Sequence, residues 1–169
     1  MNTKHVMVAG LILLIALSSI SVISAAEKSV DTGYVFTNGK LTIDNLEFKI
    51  PEGYTQVETD KDATHVDEDG ELDVEDIDGT KVDAKTSCDF KNTAGDEIEV
   101  TVGKKANNEK IQTINPANSQ PKNIAGKDGY LITDNDDGKT VYKFEYLEDG
   151  QLVKVRANSE DIISQIITK

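Results

Sequence analysis

Few residues of this chain could do covalent chemistry, and their placement narrows the options quickly. His65 is the one histidine beyond the N-terminal apolar run, Cys88 is the one cysteine, and 31 side chains are Asp or Glu. A Ser-His-Asp or Cys-His centre would have to use His65, which lies in an acidic stretch with no nucleophile motif near it. A zinc site built from His and Cys has one of each to draw on. No Gly-rich phosphate loop opens a helix, and there is no dinucleotide fingerprint. Asp31-Thr32-Gly33 spells the tripeptide of aspartic proteases, but those enzymes need two such aspartates and no second copy occurs. A glycosidase pair cannot be singled out among so many carboxylates. An unrecognised hydrolase therefore ranks third, behind two binding functions.

The stronger pattern is one of metal ligands. With Gly70 as its sixth residue, His65 to Asp76 lays onto a twelve-residue calcium loop. Asp67 and Asp69 take the third and fifth places, Glu71 the seventh, Leu72 the apolar eighth, Asp73 the ninth and Asp76 the twelfth. Calcium takes six to eight oxygens around such a sharp turn. Two places depart from the pattern: His65 stands where the first Asp belongs, and Asp76 is shorter than the Glu that binds through both oxygens. Residues 59–64 also lack the apolar periodicity of a flanking helix. Eleven of the 21 residues at 58–78 are acidic, so composition alone can produce a partial match. The bland reading is a solvated acidic loop over 58–78 with no cofactor, and the calcium site is the alternative.

Cys88 belongs to the alternating set Val82, Ala84, Thr86, Cys88 and Phe90, which makes it a core residue rather than a reactive thiol. A lone cysteine leaves no internal disulfide, so packing must supply the stability.

Residues 1–26 read as a secretory signal. Lys4 and His5 form a basic start, no charge occurs from Val6 to Ala26, and Ser24-Ala25-Ala26 sets small residues before Glu27. If uncleaved, residues 6–26 would instead anchor the protein in a membrane. Cleavage removes Lys4 and no acid, leaving 17 basic against 31 acidic side chains, net −14. That charge argues against nucleic acid and against adsorption to anionic lipid. It suits a soluble, secreted or cell-surface protein, expected as a monomer, whose partner is another protein or a cell-surface ligand.

The elements that must position these residues are hairpins. After a tether over 27–33, one domain is expected over 34–169. Asn38-Gly39 joins two short runs so that Phe36 faces Leu41 and Tyr34 faces Ile43. Leu46, Phe48 and Ile50 alternate up to Pro51. Strands around 82–90 and 98–102 should pair across a turn at 92–95. Residues 130–157 read as a three-stranded meander. Asp149-Gly150 sets Leu147 opposite Leu152, Tyr146 opposite Val153, Glu145 opposite Lys154 and Phe144 opposite Val155. That register puts Tyr146, Phe144, Val153 and Val155 on the core face and pairs Glu145 with Lys154 on the other. A three-residue loop at Asp136-Asp137-Gly138 would set Tyr130 opposite Phe144 and Ile132 opposite Tyr142. Residues 108–114 allow one or two helical turns, with Ile111 and Ile114 three apart. From Asn158 or Ser159 a last helix runs to Lys169, with the stripe Ile162, Ile163, Ile166 and Ile167 meant for the sheet. The fold class is thus α+β: an antiparallel sheet of hairpins packed against a C-terminal helix and a short middle helix.

Three stretches together resemble PsbP/Mog1-like domains. Leu46-Glu47-Phe48-Lys49-Ile50-Pro51-Glu52-Gly53-Tyr54 looks like their opening strand, Pro, Gly and aromatic. Gly126-Lys127-Asp128-Gly129-Tyr130 is similar to the turn entering their later strands, and residues 143–155 with the Ile-rich helix look like their closing elements. The resemblance implies an α+β fold, and its members range from photosystem accessory proteins to bacterial lipoproteins and nuclear-transport factors. Activity does not travel with fold, and no functional residue carries over. The leading expectation is an exported, non-catalytic binding or accessory domain, ahead of a calcium-binding surface protein.

Overall fold

The computed structural model describes residues 33–63, 74–136 and 138–168. The expected signal peptide and most of the tether fall outside these residues. Three short strands come first: β1 (Tyr34–Thr37), β2 (Lys40–Ile43) and β3 (Leu46–Lys49) form an antiparallel meander. Two-residue turns at Asn38-Gly39 and Asp44-Asn45 join them, with positive φ at Asn38, Gly39 and Asp44. Phe36 pairs with Leu41 and Tyr34 with Ile43, as the turn chemistry predicts. Alternation then buries Leu41, Ile43, Leu46 and Phe48 on one face.

A seven-stranded antiparallel sheet follows. In chain order its strands are β4 (Thr55–Ala63), β7 (Ala84–Lys91), β8 (Glu97–Lys104), β9 (Ser119–Ile124), β10 (Lys127–Asp136), β11 (Lys139–Glu148) and β12 (Gln151–Ala157). Their order in space is β4-β7-β8-β12-β11-β10-β9. A separate hairpin, β5 (Glu75–Ile77) and β6 (Thr80–Val82), lies between β4 and β7 in the chain. Both edges of the large sheet are blunted against further pairing. A bulge between Gln56 and Glu58 breaks the register of β4, and β9 carries Pro121 and Lys122.

The two faces of this sheet differ. One face carries Cys88, Phe90, Val100, Phe144, Tyr146, Val153 and Val155 into the main core. The small sheet and α1 (Glu160–Ile166) complete that core through Leu41, Phe48, Ile163 and Ile166. Ser159 caps α1, its hydroxyl accepting from the Ile162 N–H, and Glu160 and Asp161 occupy the first turn. The helix covers seven residues and ends at Ile166, because Ile167 leaves it to bridge Phe48 of β3. On the second face, Ile77, Val82, Ile111, Ile114 and Leu152 form a satellite core against which Tyr130 and Leu147 pack. Cys88 is fully buried, as its place in the alternation requires.

The architecture is therefore mostly antiparallel sheet with one C-terminal helix, and four expectations need correction. No middle helix forms: Ala106–Asn108 is a single 3-10 turn. Asn107 and Asn108 both take positive φ, which stops helical propagation, and the Ile111 N–H bonds the Gly150 carbonyl instead. Ile111 and Ile114 are buried all the same, from an extended segment. Next, Asp136 pairs with Lys139, so a two-residue turn joins β10 to β11. The slip of one residue sets Leu131 opposite Phe144, and moves Tyr130 and Ile132 to the second face opposite Glu145 and Lys143. Third, the acidic segment is strand at both ends. β4 needs only backbone pairing along β7, so a polar edge strand can extend to Ala63. Last, the run 82–90 is broken at Asp83. Its N–H bonds the Lys104 carbonyl and its carboxylate accepts from the Ala106 N–H at 2.8 Å, ending β6 and starting β7.

Candidate functional site

The second face of the large sheet holds one row of cross-strand neighbours, polar from β4 to β11, that crosses all seven strands. Asp60 pairs with Ser87, Ser87 with Thr101, Thr101 with Lys154, Lys154 with Glu145, Glu145 with Tyr130 and Tyr130 with Pro121. Each residue comes from a different strand at the same height. Strand alternation is what gathers them: their sequence neighbours Cys88, Val100, Val153, Val155, Phe144 and Tyr146 point into the main core.

Toward β4 the row forms the floor of a polar cleft of about 360 Å³, lined by Asp60, Asp76, Lys85, Asp89, Glu99 and Lys154 among others. Its side chains are committed to each other. The Ser87 and Thr101 hydroxyls lie 2.8 Å apart, and the Thr101 hydroxyl donates to Glu99 Oε1 at 2.8 Å. Lys154 Nζ sits 3.0 Å from the same Glu99 oxygen and 3.9 Å from Asp78 Oδ2. Lys85 Nζ meets Glu75 at 3.1 Å. The Ser87 hydroxyl is thus linked through Thr101 to the Glu99 carboxylate.

Asp76 is the one proposed calcium ligand in the described residues. It lies on β5, exposed, and its Oδ1 accepts from the Gly79 N–H at 2.8 Å. Asp67, Asp69, Glu71 and Asp73 lie outside the described residues, as does His65. Among the described residues no three His, Cys, Asp or Glu side chains are grouped to hold a metal ion.

The middle of the row is its least ordinary part. Glu145 is fully buried, and neither carboxyl oxygen has a hydrogen-bond partner of good geometry among the described residues. Its cross-strand partner is Lys154, as the turn register predicts, but the second face here is not solvent. Asp78 of the β5–β6 turn stands against it, and the satellite core of Ile77, Val82, Ile111 and Ile114 lies on the same face. Burial first, then the neighbouring Asp78 carboxylate, push the Glu145 pKa up to about 8, while Lys154 and Lys143 pull the other way. Both lysines have other carboxylates to serve: Lys154 has Glu99 at 3.0 Å and Lys143 has Asp134 at 3.3 Å.

At the β9 end the row opens into a groove of about 610 Å³. Ile114, Tyr130 and Leu147 make its apolar floor, and Gln112, Lys122 and Asp128 stand on its rim. Nothing in the sequence points to this groove. The strand order that brings β9 beside β10 and lays residues 111–114 across the sheet is set by long-range packing, and the slipped β10 register decides that Tyr130 faces it.

No family model, no curated protein and no solved structure matches this chain.

Proposed function

We propose that this chain is an exported, non-catalytic binding module that takes a small amphipathic ligand in the groove between β9, β10 and the segment 112–114. The groove itself carries the reading. Its volume of about 610 Å³ lies within the roughly 300–1,000 Å³ range of small-ligand sites. An apolar body would cover Ile114, Tyr130 and Leu147, while a polar end would meet Lys122, Asn123 or Asp128. The uncharged run 6–26 supports export.

Ligand-observed NMR with a library of small amphipathic compounds tests this reading, followed by amide mapping of the binders. Shifts should gather at residues 112–114, 122–130 and 147, and Tyr130→Ala should remove them. Binders that map to the polar cleft instead, or that survive the Tyr130 change, would refute the groove as the site.

A further inference from the structure

We propose that the β5–β6 hairpin is a flap whose seating on the sheet is controlled by the protonation of Glu145. The hairpin touches the sheet in two ways. Ile77 and Val82 press on β8 and β12 in the satellite core, so closely that a Cβ on Gly103 would stand 2.6 Å from Ile77 Cδ1 and 2.8 Å from Val82 Cγ1. The turn at Asp78-Gly79 reaches Lys154, 3.9 Å from Asp78 Oδ2. The base is fixed where β6 meets Asp83, whose backbone and carboxylate bond Lys104 and Ala106. The tip is held by the packing of Ile77 and by the charge contact of Asp78 with Lys154, and the base by the Asp83 hydrogen bonds and the ion pair of Glu75 with Lys85 at 3.1 Å.

Glu145 sits behind that tip. The groups that face it are Asp78 from the hairpin turn, Lys154 from β12, Lys143 from its own strand and Tyr130 from β10. The segment carrying Ile111 and Ile114 adds apolar side chains to the same satellite core. With a proton on Glu145, Asp78 is the only carboxylate of this pair that carries charge, and Lys154 balances it. Loss of the proton puts a second negative charge beside Asp78 in a dry site with no hydrogen-bond donor aimed at it. Lys154 can answer only by turning from Glu99 and Asp78 toward Glu145. Either response removes the charge contact at the tip and leaves Ile77 packing alone to hold it. Ile77 then leaves Gly103, and the hairpin swings on its Asp83 base.

Methyl NMR on the whole protein reads this directly. The probe is the NOE between the Ile77 methyl and the Gly103 Hα, followed from about pH 5 to about pH 9.5 beside the Glu145 carboxyl carbon. Contacts of Phe144 with Val155 in the main core serve as control. The open population should rise about tenfold per pH unit from about 5 to about 8, the value to which the burial of Glu145 pushes it, and level off above that, where Glu145 is ionised whether the hairpin is seated or open. In Glu145→Gln, which keeps the shape and cannot ionise, the NOE should persist throughout. In Asp78→Asn it should also persist, although the Glu145 carbon still titrates. Loss of the NOE in Glu145→Gln over the same range would overturn the proposal. So would an unchanged NOE in the unsubstituted protein while Glu145 titrates, or simultaneous loss of the main-core control contacts.

Discussion

Glu145 and Lys154 stand directly opposite each other on β11 and β12, yet they are not an ion pair. The lysine ammonium goes to Glu99 at 3.0 Å, and both Glu145 oxygens are left in a dry site without a partner of good geometry. A pairing that turn chemistry makes certain at the backbone is thus redirected by what covers the sheet. Removing the apolar cover of Ile77 and Val82 would return Glu145 to water and make it an ordinary surface residue.

The stability of the protein should therefore fall as pH rises from about 5 to 8. The folded Glu145 pKa, about 8, lies above the ordinary value of 4.5. Between these values the folded chain holds a proton that the unfolded chain has released, so raising the pH favours unfolding, by up to about 1.4 kcal/mol per unit. Above about 8 both states are ionised and the loss is complete. Glu145→Gln should remove this slope and be more stable than the parent at pH 7.5, by on the order of 3 kcal/mol. In acid the sign reverses for Glu97 and Asp134. Both are held low, Glu97 by its bond to Lys91 and Asp134 first by the Asn135 N–H and then by Lys143, so stability they lend is lost as pH falls. Urea melts of both proteins across pH 4 to 9 check the prediction, and parallel curves would contradict it.

Gly103 should be hard to replace. It lies on β8 facing the hairpin, and any Cβ there meets Ile77 and Val82 well inside contact distance. Gly103→Ala should cost roughly 1–3 kcal/mol by overpacking. The damage should concentrate in the hairpin, because Ile77 Cδ1 can yield more easily than the strand. Hydrogen exchange at pH 7 would show faster opening over residues 75–82 and unchanged protection in β11. Uniform loss across the sheet would show that the hairpin is not a separate unit.

The main core makes a sharper contrast. Phe144 is fully buried and stacks on Tyr146 with ring centroids 5.5 Å apart. Phe144→Ala should cost about 3–5 kcal/mol, with a further penalty if the space fails to collapse. The sequence argument would have set Glu145→Ala as nearly neutral on a wet face. Glu145→Ala removes the buried carboxyl beside Asp78, so the change should leave a cavity at low pH and relieve the ionisation cost, which is complete above about pH 8. Equilibrium melts of the two variants at pH 5.5 and 8.5 should rank Phe144→Ala worst at both and bring Glu145→Ala closer to the parent at the higher pH.

Local turn chemistry made much of this fold legible. Asn38-Gly39 and Asp149-Gly150 allow few alternatives, and the registers they imply form as read. The turn after Asp136 did not decide itself, because Tyr130, Leu131 and Ile132 are all apolar enough to face a core. Only Leu131, packed against the main core, can satisfy the pairing the sheet adopts. The spacing of Ile111 and Ile114 suits a helix and an extended crossing equally, and two asparagines in left-handed conformation settle it. The polar row was invisible for a different reason. Its members are 14 or more residues apart along most of its length, and strand order in space is not written in any one stretch.

The acidic stretch carries the last prediction. If residues 65–76 are only a solvated part of an acidic chain, calcium will bind weakly and Asp67→Asn with Asp69→Asn will leave thermal stability almost unchanged. If they form a site, removing two ligands should abolish binding, because the remaining oxygens cannot replace the ion's hydration shell. Asp76 bears on the choice: its Oδ1 accepts from the Gly79 N–H and so helps to fix the hairpin turn. Calorimetric titration of both proteins at about 0.15 M salt, where diffuse attraction fades beyond about 8 Å, separates a site from an acidic surface. The expected result is no saturable binding tighter than about millimolar, the weak end of extracellular calcium modules. A stoichiometric micromolar isotherm that disappears in the double variant would instead make the protein a calcium binder. It would also raise the stability of the unsubstituted chain by about 2.7 kcal/mol at 100 times the dissociation constant.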